Sequence, residues 1–266
     1  MKKIIGIAAP ARSGKDTVAA LLLQHDHVAA YALADPLKIG CQALFGLTDD
    51  ETWHDDYKER PLPLWQHSPR QFFQQVGTDW LRGHNPEHWL LRAQRALSAT
   101  EATPTATAEQ LATPQAVFKL AAQAIFGLSA EQTWDDHLQQ AIDSYWQLSP
   151  QQMVELLQQL SLKSFPDFAQ RRQQRPLLPP SRALTNFNQA QIMVIKDIRF
   201  ENEAAFLRQH HGQIWHIVRN NAQKVNPHAS ELGIAIAKDD VVIDNNGSIA
   251  QLAAAVAEQW QLLQAG

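Results

Sequence analysis

Ile4-Ile5-Gly6-Ile7-Ala8-Ala9-Pro10-Ala11-Arg12-Ser13-Gly14-Lys15-Asp16-Thr17 reads as a short buried strand, a tight turn and then a helix running from Asp16 to Leu23. That order is the signature of a phosphate-binding P-loop. Backbone N–H groups in the turn face phosphate oxygens, Lys15 adds a point charge near the β- and γ-phosphates, and the helix N-terminus adds partial positive charge. Two positions depart from the usual G-x-x-x-x-G-K-[ST] pattern, Ala9 for the first Gly and Asp16 for Ser/Thr. Ala is tolerated if φ stays negative there. Thr17 offers a hydroxyl one residue late, and Asp16 can reach Mg²⁺ directly or through water. The plainer alternative is a strand and helix joined by an ordinary Ser-Gly turn.

The rest of the chain suits an enzyme built on such a loop. Its 266 residues are enough for one α/β domain with a large core plus an insertion. A net charge of −4 argues against broad electrostatic binding to a nucleic-acid polymer. The lone Cys41 forms no internal disulfide, which fits a reducing cytoplasm. Arg12 and Lys15 interrupt the N-terminal apolar run too early for a signal peptide, and no run approaches the ~18 apolar residues that span a membrane.

Beyond the loop, residues 27–33 form a second short apolar strand, followed by Ala34-Asp35-Pro36-Leu37-Lys38 and a helix expected from Leu37 to Phe45. Polar groups just past a strand's C-terminal end face the ligand crevice in open α/β sheets, so Lys38 is a candidate anion contact. A solvated lysine on a first helical turn is the equal alternative. Ser68-Pro69-Arg70-Gln71-Phe72-Phe73-Gln74-Gln75-Val76-Gly77-Thr78-Asp79-Trp80-Leu81-Arg82 reads as a helix with Ser68 as N-cap and Pro69 at the first position. Arg70 and Gln74 share one face, as do Thr78 and Arg82. Such a helix can hold a phosphate and a base, or simply carry ordinary surface charges.

Residues 99–115, rich in Thr, Ala and Pro, are expected to form a mobile linker. An internal repeat follows. Ala43-Leu44-Phe45-Gly46-Leu47 recurs as Ala124-Ile125-Phe126-Gly127-Leu128, Thr52-Trp53 as Thr133-Trp134, Trp65 as Trp146 and Ser68-Pro69 as Ser149-Pro150, each pair 81 residues apart. The polar candidates are not copied: Arg70 becomes Gln151, Thr78 becomes Gln159, Asp79 becomes Leu160, and Lys58-Glu59-Arg60 becomes Gln139-Gln140-Ala141. Arg70 is therefore assigned to chemistry and the copy to scaffolding. Met153, Leu156, Leu157 and Leu160 fall at helical spacing and need a partner surface, either the first copy or a second subunit in a homodimer. The expected organisation is a core of 1–98 and 186–266 with a linker and helical insertion at 99–185, a degenerate copy of about 37–91.

Arg171 to Asn188 is basic and Pro-rich and is expected to loop back to the core. Gln191-Ile192-Met193-Val194-Ile195-Lys196-Asp197-Ile198-Arg199-Phe200-Glu201-Asn202-Glu203 reads as a buried parallel strand with its charges at the C-terminal end. Asp197 is placed like the strand-end Asp that holds Mg²⁺ in P-loop enzymes, and Arg199 and Asn202 can meet a phosphate. A strand follows at Gln213–Val218, Asp240-Val241-Val242-Ile243-Asp244-Asn245-Asn246-Gly247 reads as a last strand and turn, and a closing amphipathic helix runs from Ile249 to Leu263. His228 has no metal-ligand partners at suitable spacing.

Gly14-Lys15-Asp16-Thr17, Ala34-Asp35-Pro36-Leu37-Lys38, Arg70 with Gly77-Thr78-Asp79 and Arg82, Asp197-Ile198-Arg199-Phe200-Glu201-Asn202-Glu203 and His228-Ala229-Ser230-Glu231 occur in one order. Together they resemble the deoxynucleoside monophosphate kinases of phages and prophages, over about residues 1–95 and 190–263. Gly-Lys-Asp in the loop is a habit of this family, and related animal phosphomevalonate kinases share it. The resemblance implies a P-loop kinase core, an α/β parallel sheet flanked by helices, with a helical substrate-binding region and a lid. It implies that Arg12, Ser13, Gly14, Lys15, Asp16 and Thr17 bind ATP with Mg²⁺ at Asp16 and Thr17. It also implies that Asp35, Leu37, Lys38, Arg70, Gln74, Asp79, Arg199, Asn202 and Glu203 serve the deoxynucleotide. Lys15, Arg199 and Asp197 then carry the catalysis, and Arg219 with residues 220–238 supplies the lid. Two rivals stand beside this reading: another small-molecule kinase acting on phosphomevalonate or dephospho-coenzyme A, or a nucleotide-binding interaction module without turnover.

Overall fold

The computed structural model describes residues 2–10, 13–32, 34–98, 103–182, 184, 190–220 and 233–265. In chain order its elements begin with β1 (Lys3–Ala8), α1 (Lys15–Leu22), β2 (Val28–Ala32), α2 (Ala34–Phe45), α3 (Asp49–Trp53), α4 (Pro69–Gln74) and α5 (His88–Ser98). There follow α6 (Ala108–Leu111), α7 (Ala116–Phe126), α8 (Ala130–Trp134), α9 (Pro150–Ser164) and α10 (Phe168–Arg172). The chain closes with β3 (Ile192–Ile198), α11 (Glu201–Gln209), β4 (Gln213–Val218), β5 (Val241–Asp244) and α12 (Ile249–Ala265). They fall into two compact units, Met1–Leu33 with Phe187–Gly266, and Ala34–Asn186.

The first unit is α/β. Five strands in the order β2-β3-β1-β4-β5 pair in parallel throughout and are flanked by helices, as expected for a P-loop kinase-like core. A parallel sheet covered on both faces demands near-continuous apolar strands, and Ile5, Ile7, Val194, Trp215 and Ile217 supply them. Val18 and Leu22 of α1 and Leu252 and Val256 of α12 complete that core. All the strands point the same way, so the ends of β1, β3, β4 and β5 present their connecting loops along one edge. Ala8, Ile198, Val218 and Asp244 mark that edge.

The second unit is all helix and contains both copies of the repeat. Their correspondence is atomic. α3 and α8 are the same element 81 residues apart, each opened by a capping box, Thr48 with Glu51 and Ser129 with Gln132. Gly46 and Gly127 end the preceding helices at φ 64° and 68°. The Trp65 indole donates to the Phe45 carbonyl at 3.0 Å, and Trp146 donates to Phe126 at 2.9 Å. Ser68 and Ser149 cap the next helices through Gln71 and Gln152.

The copies are tied together by an exchange. Arg92 and Arg95 of the first copy donate to the carbonyls of Ala124 and Gly127 at 2.9 and 2.8 Å. Arg172 and Arg175 of the second donate to Ala43 and Gly46 at 3.0 and 2.9 Å. Each copy thus satisfies the orphan carbonyls at the end of the other's first helix, where a cation is also favoured by the helix dipole. Arg95 also reaches Gln132 while Arg175 pairs with Glu51, the equivalent position. Residues 171–175 are therefore built into the helical unit and do not form a loop to the sheet, contrary to the sequence expectation. The reason is long-range: helix ends more than a hundred residues away need donors. Within 99–115, residues 99–102 lie outside the described residues, while Thr107 and Gln110 form a capping box that opens α6. Thr107-x-x-Gln110 is a helix-start signal that the linker reading passed over.

The copies differ at one place. The first copy's capped helix is regular to Gln74 and then π-helical over Gln75–Arg82, whereas α9 is α-helical throughout. Before this helix, equivalent residues are 81 apart. After it they are 80 apart: Arg92 matches Arg172, Arg95 matches Arg175 and Pro86 matches Pro166. The first copy carries one extra residue, and wider π turns absorb it. The Trp89 indole accepts this geometry by donating to the Gly77 carbonyl at 3.0 Å. A Cβ on Gly77 would stand 2.6 Å from Leu37 Cδ2. The copy has Gln158 and Ala169 at the places of Gly77 and Trp89.

Candidate functional site

β1 occupies the centre of the sheet, and the turn that leaves it is described at Ala9, Pro10, Ser13 and Gly14. Gly14 stands at the N-cap of α1 with φ 98° and ψ 12°, a conformation that disfavours any side chain. Buried Ser13 donates its hydroxyl to the Pro10 carbonyl at 2.6 Å, which tightens the turn. Lys15 is half-buried, and Asp16 and Thr17 are exposed on the first turn of α1. Ala11 and Arg12 lie outside the described residues.

Asn245, just past β5, braces this turn from the side. Its Nδ2 donates to the Ser13 carbonyl at 2.8 Å, and a Cβ at Gly14 would come within 2.3 Å of the same nitrogen. The sequence reading treated Asn245 as part of a turn. Its one available signal was a polar residue at a strand's C-terminal end.

β3 runs beside β1, and the register shifts where the motif begins. Ile7 pairs with Lys196 and Ala8 with Ile198, so Asp197 is the extra residue of a β-bulge, a device that recurs next to active sites. The side chain of Asp197 lies outside the described residues. Arg199 is half-buried at the start of the following turn. Glu203 is buried at 3% exposure and accepts the N–H groups of Arg199 and Phe200 at 2.9 and 3.2 Å. Those bonds make Glu203 the brace of the loop that carries Arg199. Asn202 is half-buried on the first turn of α11. Of the expected lid, Arg219 is exposed, and Asn221–Leu232, with His228, lie outside the described residues.

In the helical unit, a charged group gathers around Asp55. Lys58 holds it at 2.6 Å, and the Lys58 hydrogen bond with the fields of Lys38 and Arg70 keeps its carboxyl below the ordinary range. Arg70 also forms an ion pair with Glu59, and its N–H donates to the Lys58 carbonyl at 2.9 Å. The fold therefore brings Lys38, Lys58 and Arg70 to one cluster. Lys38 additionally lies 4.9 Å from the Trp53 ring, and Lys119 lies 4.8 Å from Trp134 in the copy. One charge did survive duplication, so part of the role of Lys38 is framework. Leu37 is buried against Gly77, Asp35 and Gln74 are half-buried, and Asp79 is exposed on the π-helix.

Residues 178–256, from before β3 into α12, match the deoxynucleotide monophosphate kinase family. A protein of Acanthamoeba polyphaga mimivirus named "Putative deoxynucleotide monophosphate kinase" is 37% identical over 83 residues. Over these residues the chain is similar to deoxynucleotide monophosphate kinases. The kinase match takes in the bulged end of β3, Arg199, the Glu203 brace and Asn245. The alignment to the viral protein covers 30% of this chain and 43% of that one, less than half the length of the curated relative. Among the described residues no helix is long and apolar enough to cross a membrane.

Proposed function

We propose that the protein transfers the γ-phosphoryl group of ATP to the 5′-phosphate of a deoxynucleoside monophosphate, giving ADP and a deoxynucleoside diphosphate. The observation that carries this reading is the left-handed Gly14 turn at the end of the central strand. It is braced by Asn245 and followed directly by Lys15 at the start of α1. A turn that admits only glycine and opens a helix with a lysine suits phosphate oxygens. The kinase family match over the adjoining strands supports the reaction class.

Both reactants are anions, so catalysis rests on positioning and charge neutralisation, with no covalent nucleophile. Lys15 sits against the β- and γ-phosphates, and Arg199 neutralises charge that spreads over the transferred group. Asp197 belongs at the bulged strand end beside them. The acceptor is assigned to Arg70, Lys38, Gln74, Asp79 and Asp35 with Leu37 in the helical unit, and to Asn202 with Glu203 in the α/β unit. No group of three or more His, Cys, Asp or Glu able to hold a metal is present among the described residues. That fits Mg²⁺, which keeps several waters and binds through one or two protein oxygens plus substrate phosphates. Asp16 and Thr17, exposed beside Lys15, are the residues to hold it, and it supplies neutralisation of the β- and γ-oxygens when bound. The acidic net charge and the buried, unpaired thiol of Cys41 support a small-molecule enzyme of the cytoplasm with no polymer or membrane partner.

A coupled ADP-release assay over the four deoxynucleoside monophosphates, their ribose counterparts, phosphomevalonate and dephospho-coenzyme A tests the reading. Turnover with at least one deoxynucleotide, lost in Lys15→Ala, is expected. Turnover only with a non-nucleotide acceptor, or ATP binding without any turnover, would refute it.

A further inference from the structure

The turn after β5 is bonded to the turn after β1, and its side chains divide the roles. Asp244 Oδ1 accepts the Asn246 N–H and Asp244 Oδ2 accepts the Asn246 amide, both at 2.8 Å, so these two residues shape the turn between them. Asn246 Oδ1 also accepts the Asn220 N–H at 2.8 Å, and the Asn245 N–H donates to the Val218 carbonyl at 2.8 Å. Both bonds fix the turn to the end of β4. The Asn245 side chain makes neither of them. Its Nδ2 donates instead to the Ser13 carbonyl at 2.8 Å, 232 residues away in sequence.

That bond sets more than one carbonyl. In a planar trans peptide the C=O of one residue and the N–H of the next point in opposite directions, so holding the Ser13 carbonyl turns the Gly14 N–H away from Asn245. Ser13 is held from its other side as well, because its hydroxyl and its N–H both donate to the Pro10 carbonyl, at 2.6 and 3.4 Å. Gly14 then takes φ 98° and ψ 12°, and the right-handed helix begins at Lys15. A left-handed residue followed by right-handed ones turns successive N–H groups toward one concave side, a backbone nest for anions. Gly14 and Lys15 are half-buried while Asp16 and Thr17 are exposed, so a ligand can reach this stretch. Asn245 also takes up the room that a side chain at position 14 would need, its Nδ2 lying 2.3 Å from where that Cβ would stand.

We propose that Asn245 is a positioning residue of the triphosphate site: by holding the Ser13 carbonyl, it aims the Gly14 N–H at a phosphate oxygen. The inference rests on the nucleotide reading above and adds to it a residue outside the loop motif. Asn245 acts through the backbone of the turn, so its effect falls on the polyphosphate and is the same whatever base is attached. What matters is the amide N–H, since a side chain of equal shape without a donor leaves the peptide unheld.

Equilibrium titration of the full chain with ATP and with inorganic tripolyphosphate tests this, together with steady-state kinetics. Asn245→Leu keeps the shape and lacks the donor, whereas Asn245→Asp keeps shape and polarity and sets an oxygen against the Ser13 carbonyl. The first adds no charge and the second adds no apolar group, so a loss shared by both is the loss of the N–H. Each should weaken ATP and tripolyphosphate by one common factor of about tenfold or more, the scale of a hydrogen bond that serves a charged ligand. Each should raise the KM for ATP and leave that for the deoxynucleotide near wild type. Melting curves without ligand check that the variants are folded. Wild-type affinity in either folded variant, an equal rise in both KM values, or a loss confined to ATP would overturn the proposal and leave the kinase reading standing. Failure of the wild type to bind ATP any better than Lys15→Ala would remove the nucleotide reading and this inference together.

Discussion

Lowering the pH from 7 to 5 should destabilise the protein through His88 by an amount that can be worked out. In the unfolded chain this histidine titrates near 6.5, whereas in the fold it stays neutral down to about 3. Between those values the unfolded state binds a proton that the native state does not, so stability falls as pH falls. Above 6.5 neither state is protonated and His88 contributes no pH dependence. At pH 5 the gap is ~1.5 units, or about 2 kcal/mol at ~1.36 kcal/mol per unit. The effect is isolated by difference. Urea denaturation of the wild type and His88→Phe at pH 7 and pH 5 provides it. The wild type should lose about 2 kcal/mol more than the variant on acidification. Equal losses in the two proteins would mean that His88 is protonated in the native state, and the account of its burial would fail.

Lys15→Ala should cut turnover by ~10³, the scale of a lost charge contact to the transition state, measured by steady-state ADP release. Arg70→Ala should raise the KM for the deoxynucleotide and leave that for ATP near wild type, while Gln151→Ala, at the equivalent position, should change neither. A loss from Gln151→Ala comparable to that from Arg70→Ala would show a working site in the copy. Gly14→Ala should abolish ATP binding in equilibrium titration, because φ 98° strains any side chain and the new Cβ would meet Asn245. Arg172→Ala should lower stability by about 2–4 kcal/mol in urea denaturation, since it leaves the buried Ala43 carbonyl without its donor.

Much of this arrangement can be read from residue order because its causes are local. Gln213–Val218 is a strand with the expected bounds, and Ser68 caps its helix with Pro69 at the first position. The repeat is legible because capping and turn chemistry stay with their residues when a segment is duplicated. The π-helix escaped because a constant offset of 81 was carried through it. Pairing Pro86 with Pro166 would have exposed the slip, and the pairing of Asp79 with Leu160 beyond Val76 was correspondingly insecure. The arginine exchange and the Asn245 brace escaped for another reason. Each joins atoms more than thirty residues apart, 232 in the case of Asn245, and no periodicity encodes such a pairing.

The arginine exchange has a consequence for how this molecule behaves on dilution. Two identical chains trading arginines in this way would form an isologous pair whose survival depends on concentration. Here both partners lie on one chain, and covalent linkage fixes their effective concentration at the level set by the connection between them. The association is therefore first-order: it persists at any protein concentration and is lost only when the helical unit itself unfolds. Fusion also releases the partners from having to be alike. Identical subunits must accept every substitution twice, whereas these halves differ freely, one carrying an extra residue and a π-helix and the other carrying Phe165 and Phe168.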